Sequence, residues 1–235
     1  MSVNPLKPIR ILFTPPGPNP WNVNAFLVNW SLLSERERYA GLGLKYEIES
    51  FSWAQVKKKP FIDFNPNGRV PAIEDPNTDL TLWESGAIYQ YPIEHYNINH
   101  RLSYETLKER HISNQWLHFQ MSGQGPYYGQ CVWCRRSYPK KIKSAIDRYA
   151  NEIERVIGVL ESVLAAKPPD AQWLVGDNMT FADMAFVPWN VHLSEVLQKS
   201  WDEDCSGIVS SKASSYFADY ENQTAADKSD STKKP

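Results

Sequence analysis

The chain has no run of about 18 apolar residues, so a membrane-spanning helix is not expected. Basic charge is not in excess either. Lys and Arg number 25 against 27 Asp and Glu, a net charge of −2. Nothing in that balance favours a broad basic surface, so nucleic acid is not an expected partner. Cysteine is scarce. Cys131, Cys134 and Cys205 are odd in number and lack the spacing of a disulfide framework. A reducing, cytoplasmic setting is the expectation. Met1 to Pro8 hold no apolar h-region, so no secretory leader is expected. Without one, Asn29-Trp30-Ser31 and Asn178-Met179-Thr180 read as chance glycosylation matches. Internal repeats are absent as well.

What is present is a globular composition. Of 235 residues, 42% are hydrophobic and 22% charged, enough for one large or two small domains. Ile9 to Phe13 is apolar at nearly every position, as a central strand would be. A Pro/Gly/Asn cluster from Thr14 to Pro20 ends it. Val23, Phe26, Leu27, Trp30 and Leu33 then recur at helical spacing, which predicts a helix from about Trp21 to Arg38. A second strand is expected over Leu44 to Phe51, with Tyr46 and Ile48 on one face. The turn cluster Asn65 to Arg69 leads into a short strand from Val70 to Ile73. Pro76 to Asp79 reads as a hairpin turn before a fourth strand, Leu80 to Trp83. Ser85 can cap a helix from Gly86 to about His95.

Beyond this mixed α/β domain, strand patterns cease. Tyr104 to Trp133 carries helical spacing interrupted by Gly123, Gly125 and Pro126. Ile142 to Leu164 traces an amphipathic helix that Pro168-Pro169 ends. Thr180 and Asp183 form a capping-box pattern ahead of another apolar helix. The expected organisation is a domain over residues 1–97, a helical domain over 103–204, and a polar, flexible tail over 205–235.

Three separated clusters carry candidate chemistry. Asn19 and Pro20 stand where the first strand turns into the first helix, as N-cap and first-turn residues. Such an N-terminus can stabilise a thiolate, and it can equally be just a cap. Val70-Pro71, in a tight turn before a strand, is a candidate cis bond that would leave the Val70 backbone open to an extended peptide; an ordinary trans turn is the alternative. Glu84 and Ser85 lie at a strand-to-helix junction. Amides there suit a carboxylate and the acid suits an ammonium, though a cap and a surface acid would look the same.

Taken in order, these clusters resemble the glutathione transferases. The resemblance is carried by Asn65-Pro66-Asn67-Gly68-Arg69-Val70-Pro71-Ala72 and Leu82-Trp83-Glu84-Ser85-Gly86-Ala87-Ile88. It continues in Gln115 to Pro126, Gly129-Gln130, Trp173 to Asp177 and Thr180 to Asn190. The stretches Gln115 to Pro126 with Gly129-Gln130, and Trp173 to Asp177 with Thr180 to Asn190, look like the fungal branch that includes the nitrogen-regulator prion protein. The resemblance implies an α/β N-terminal thioredoxin-like domain plus an all-α C-terminal domain. It implies glutathione as co-substrate, with no metal. Asn19 would face the glutathione sulfur. Val70 would pair by backbone with the cysteinyl unit, and Pro71 would be cis. Glu84 and Ser85 would hold the γ-glutamyl end, and one of Lys57, Lys58 and Lys59 the glycyl carboxylate. Thr180 and Asp183 would serve folding. Trp116, Tyr127 and Tyr128 would line a pocket for a hydrophobic electrophile.

Two departures accompany the resemblance. No Ser, Tyr or Cys aligns with the sulfur-facing position, although Thr14 is nearby. The family's last helices are not recognisable after about Leu197. Cys131-Val132-Trp133-Cys134 has dithiol spacing, but it lies in the helical half and reads as structural. His111 and His118 could share a helix face, yet no third ligand accompanies them. The resemblance thus implies a cytoplasmic, dimeric, glutathione-dependent transferase. It would conjugate its substrate, or isomerise a conjugated double bond by glutathione addition and elimination, in fungal secondary metabolism or detoxification. The competing reading is a non-catalytic, glutathione-binding regulatory protein of the same fold.

Overall fold

The structure is a computed structural model that describes residues 6–14, 44–96, 100 and 102–197. The helix expected over residues 21–38, Asn19, and the tail expected over 205–235 lie outside these residues. The chain divides into two units, residues 1–102 and 103–235.

The first unit holds a four-stranded sheet in the order β2-β1-β3-β4. Strand β1 is Ile9–Phe13 and β2 is Tyr46–Ser50, and the two run parallel. Strand β3 is Ala72–Asp75, antiparallel to β1, and β4 is Leu80–Trp83, antiparallel to β3. The near-continuous apolar run of β1 places it inside the sheet, where Ile9, Ile11, Leu12 and Phe13 are all buried. Strand β2 is an edge, and its Ile48, expected on one face with Tyr46, is 45% exposed. Strand β3 begins at Ala72, two residues later than expected, because the turn from Asn65 reaches through Pro71 before the ladder starts.

A helical turn over Gln55–Lys57 and the short helix α1, Phe61–Phe64, follow β2. Leu12, Phe51, Val56, Phe61 and Ala72 pack into one cluster, with Phe64 and Val70 against it. The rings of Phe51 and Phe61 meet edge to face at 5.1 Å. On the outer rim, Arg10 of β1 bridges Glu49 of β2 and Glu74 of β3. Helix α2 spans Ser85–His95 and buries Ile88 and Tyr89. Behind the β3–β4 hairpin, Asp75 is buried and accepts hydrogen bonds from Tyr91 at 2.7 Å, from the Asn77 amide at 2.8 Å, and from Tyr96.

The second unit is helical. Helix α3, Leu107–Phe119, starts from the Thr106 cap and runs without a break through a π turn, Gln120–Gln124, into helix α4, Gly125–Val132. A second π turn, Trp133–Ser137, continues it. The interruption expected at Gly123, Gly125 and Pro126 is therefore a change of helical gauge. Pro126 has no amide to donate, and it falls in the first turn of α4, where the wider π turn precedes it. Helix α5, Lys143–Ala165, turns Ile153, Val156, Ile157, Leu160 and Leu164 into the core.

Helix α6, Phe181–Val191, opens on the expected capping box. The Asp183 carboxylate accepts from the amides of Thr180 at 2.7 Å and Leu174 at 2.8 Å, which fixes the preceding loop to the helix. A short helix α7, Leu193–Leu197, ends the described chain.

Candidate functional site

The sheet register gathers what the sequence keeps apart. Ala72 of β3 pairs with Leu12 of β1 on one side and Trp83 of β4 on the other. Val70 and Pro71 lie just before this end of β3, Phe13 and Thr14 at the end of β1, and Glu84 and Ser85 just after β4, so all three pairs stand at the same end of the sheet. Two of the three candidate clusters, and the residue leading into the third, thus share one end of the sheet.

The turn before β3 is built by Asn65. This buried side chain accepts from the Asn67 amide at 2.9 Å and donates to the Arg69 carbonyl at 2.6 Å. The Gly68 amide bonds the Asn65 carbonyl at 2.9 Å. Gly68 itself has φ +61, and a Cβ there would come within 2.9 Å of the Val56 carbonyl oxygen, so glycine is required on both counts. The Val70–Pro71 bond is cis, and so is Lys59–Pro60, which the sequence reading did not single out. Asn65 is the expected start of the turn cluster, and the structure adds the side-chain bonds by which it builds the turn.

The three candidate lysines differ. Lys57 Nζ donates to the Gly68 carbonyl at 2.5 Å, which ties it to the turn leading into Val70. Lys59 pairs with Asp63 at 3.1 Å across an exposed surface, and Lys58 is exposed. Geometry places only Lys57 against the turn.

At the β4–α2 junction, Ser85 is the first residue of the helix, and Glu84 holds the cap position without a side-chain cap bond. This corrects the expectation that Ser85 caps a helix starting at Gly86. Glu84 has φ +71 and ψ 115, which swings the chain so that the helix starts one residue early. A non-glycine residue at such angles costs about 1–3 kcal/mol and persists only where its surroundings impose it. Its carboxylate is exposed, while Ser85 is buried.

Thr14 completes this end of the sheet. It is 1% exposed, and among the described residues its hydroxyl has no hydrogen-bond partner. A buried hydroxyl in that condition costs about 1–3 kcal/mol.

In the helical unit, two of the residues expected to line the pocket are buried. Tyr128 is fully buried and donates to Asn190 Oδ1 at 2.9 Å, with its ring against Trp189. Trp116 packs in the same core, edge to face with Phe119 and Phe186. Both face helix α6, which periodicity within their own helix could not reveal. Tyr127 is half-buried beside Tyr149. Cys131 and Cys134 are buried free thiols. Burial pushes the Cys131 thiol up, with Arg135 pulling the other way. His111 and His118 are exposed, and among the described residues no three metal-ligating side chains gather. Nor is any described helix long and apolar enough to cross a membrane.

Comparison with known proteins agrees with this architecture. The family model for the glutathione S-transferase N-terminal domain matches residues 24–92, and that for the C-terminal domain matches residues 128–203. The glutathione S-transferase-like protein gedE of Aspergillus terreus is 44% identical over 199 residues, covering 82% of each chain. Glutathione transferase URE2P8 of Phanerochaete chrysosporium, solved with oxidized glutathione, superposes with a TM-score of 0.78 at 30% identity over 99% of this chain and 100% of that one. Ure2p5 of the same organism, cocrystallized with 1-(S-glutathionyl)-2,4-dinitrobenzene, gives 0.76 at 32% identity over 97% and 98%. The chain belongs to the glutathione transferase family, within the branch that includes the yeast nitrogen-regulator protein Ure2p.

Proposed function

We propose that the chain binds glutathione at this end of the sheet and uses its thiolate against a hydrophobic electrophile. The observation that carries the reading is the β3–β4 pairing, which ends at Ala72 opposite Trp83 and so leaves Val70-Pro71 and Glu84-Ser85 just beyond the same end of the sheet. The Val70 backbone pairs with the cysteinyl unit. The γ-glutamyl carboxylate sits at the α2 N-terminus by Ser85, where the first helix amides have no acceptor within the helix. The exposed Glu84 carboxylate takes the γ-glutamyl ammonium. Lys57 meets the glycyl carboxylate, since two of its three N–H donors remain beyond the bond to Gly68. Asn19 donates to the sulfur. It has no proton to lose, so the thiol proton leaves to solvent.

The protein's contribution is to stabilise the thiolate and orient the two reactants. Conjugation forms a carbon–sulfur bond and expels or retains the substrate's group according to its chemistry. Addition to a conjugated double bond, rotation, and elimination would return glutathione and an isomer. The relative solved with a glutathionyl-dinitrobenzene conjugate supports the first outcome. Tyr127 remains the pocket candidate, with Trp116 and Tyr128 supporting it from the core. In this reading the protein works as a cytoplasmic homodimer in secondary metabolism or detoxification; the relatives support only the fungal setting.

A non-catalytic, glutathione-binding regulator is the second reading. It is favoured by the lack of an aligned Ser, Tyr or Cys at the sulfur. Calorimetric titration of the full chain with glutathione, then product analysis with a panel of electrophiles, separates the readings. Absence of glutathione binding sinks both. Binding without any product leaves only the regulator.

A further inference from the structure

We infer that the turn between α4 and α5 is a peripheral docking surface for an anionic lipid bilayer. Five cations, Arg135, Arg136, Lys140, Lys141 and Lys143, fall within residues 135–143. Between Glu109 and Asp147 the sequence holds no Asp or Glu. The net charge of −2 therefore hides a strongly one-sided segment. Apolar side chains stand out among these charges, with Trp133 47% exposed and Ile142 44% exposed. The turn has a defined shape. The Tyr138 amide bonds the Trp133 carbonyl at 2.8 Å, and the two rings lie 4.7 Å apart. Lys141 Nζ donates to the carbonyls of Arg135 at 2.6 Å and Tyr138 at 3.3 Å, so this lysine braces the turn. Lys143 pairs with Asp147 at the start of α5. Arg136 and Lys140 are exposed, on either side of Tyr138 in the sequence.

Charge and apolar exposure together select the partner. Each cation near an anionic membrane surface strengthens binding about fivefold, and salt screens that gain. Tryptophan and tyrosine favour the headgroup layer, and aliphatic side chains favour the acyl boundary below it. Peripheral binding draws on both, the apolar area inserted and the attraction to anionic headgroups. Other occupants fit less well. A second copy docked face to face would set cation against cation. Nucleic acid or a carboxylate-rich polypeptide would meet the charges but offer Ile142 little apolar area to bury. Peripheral docking needs no spanning helix, and none is found among the described residues. The surface does not depend on the glutathione reading. Where both hold, docking brings the transferase to the phase in which a hydrophobic electrophile collects.

The test is co-sedimentation of the full chain with lipid vesicles. One set is phosphatidylcholine alone, and in the other about a third of the lipid is phosphatidylserine. The inference expects binding to the second set only, lost in about 1 M salt, where the Debye length is about 3 Å. Arg136→Gln with Lys140→Gln should weaken it about twenty-fold or more, two cations at about fivefold each. Trp133→Ser with Ile142→Ser should weaken it at least about tenfold through lost apolar burial. Lys141 is left in place because it braces the turn. Thermal melts show that each variant folds, and glutathione affinity, read by calorimetry, should match wild type in both. Equal binding to both vesicle sets, or to neither, overturns the inference. So does a folded variant of either kind that binds the anionic vesicles like wild type. Binding to polyglutamate or a DNA oligonucleotide without binding to vesicles also overturns it, and assigns the surface to an acidic polymer.

Discussion

Lys57 Nζ lies 2.5 Å from the carbonyl oxygen of Gly68, two residues before Val70. The bond crosses eleven residues of sequence and draws one lysine of three adjacent ones against the proposed peptide site. Lys57→Ala is expected to weaken glutathione binding roughly tenfold or more, the cost of losing one charge-assisted hydrogen bond of about 1.5–3 kcal/mol. Lys58→Ala and Lys59→Ala should bind like wild type. Because Lys57 also braces the turn, γ-glutamylcysteine serves as the control ligand. It lacks the glycyl carboxylate, so its affinity should hardly move. Equal losses for both peptides would mean that Lys57 only supports the turn.

Gly176 shares its space with Tyr104. A Cβ on Gly176 would lie 2.3 Å from the tyrosine oxygen, and Gly176 has φ +56. The Tyr104 hydroxyl accepts from the Asn178 amide at 2.8 Å and reaches the Val175 carbonyl at 3.2 Å, which clamps the loop ahead of α6. Gly176→Ala should therefore cost at least about 1–3 kcal/mol in chemical denaturation, the usual cost of overpacking. An unchanged midpoint would show that Tyr104 swings aside freely.

Local rules made several elements legible in the sequence. Strand β1 announces itself by a near-continuous apolar run, β4 by its hairpin turn, and α6 by the Thr180 and Asp183 box. What stayed hidden depends on partners far along the chain. The contacts of Trp116 with Phe186 and of Tyr128 with Asn190, both on another helix, are of this kind. The π turns are likewise invisible to a search for breaks, since glycine and proline mark either outcome. Tyr104 and Asn65 act through long-range packing or a turn-specific bond, and composition points to neither as special. At the site, the clusters are visible one by one in the sequence, and the β3 pairing adds that Val70-Pro71 and Glu84-Ser85 flank the same end of the sheet.

Asp75 gives the first unit an acid-sensitive brace. Burial works to raise its carboxyl, but bonds from Tyr96, Tyr91 and Asn77 outweigh it, and the group sits below its ordinary value. The same contacts, together with burial, push the Tyr96 phenol well above its usual range. A carboxylate depressed in the folded state contributes stability above its unfolded pKa and loses it as pH falls through the folded one. The unfolded value is about 3.9, so the contribution is full at neutral pH and fades below about pH 4. Asp75→Asn should be less stable than wild type at pH 7, and the gap should narrow on acidification. A gap that stays constant from pH 7 to pH 3 would contradict the assignment.

Cys131 and Cys134 should be dispensable for turnover. Both are buried, and the Cys131 thiol is pushed up, the opposite of an activated nucleophile. Alanine is the better replacement, because serine would bury a hydroxyl. The double Ala variant should keep glutathione binding and any glutathione-dependent activity, with some loss of stability from the core. A variant that folds and binds glutathione yet turns nothing over would make the pair part of the chemistry.

Glu84 sets stability against function most directly. Its φ of +71 is a conformation that glycine adopts readily and glutamate does not. Strain of about 1–3 kcal/mol is therefore held at the β4–α2 junction, where the γ-glutamyl ammonium is proposed to bind. Glu84→Gly should release that strain, less about 0.5–1 kcal/mol for the greater freedom of glycine in the unfolded chain. The melting temperature should hold or rise. Glutathione binding should nevertheless weaken roughly tenfold to a hundredfold, because the charge-assisted contact is gone. Glu84→Ala separates the two effects. It loses the same carboxylate but keeps a Cβ at positive φ, so it should bind as poorly as the glycine variant without its gain in stability. Thermal melts and calorimetry on the three proteins decide the matter. If Glu84→Gly melts lower and binds as well as wild type, the backbone is not strained against function there, and the exposed carboxylate has no part in holding the peptide.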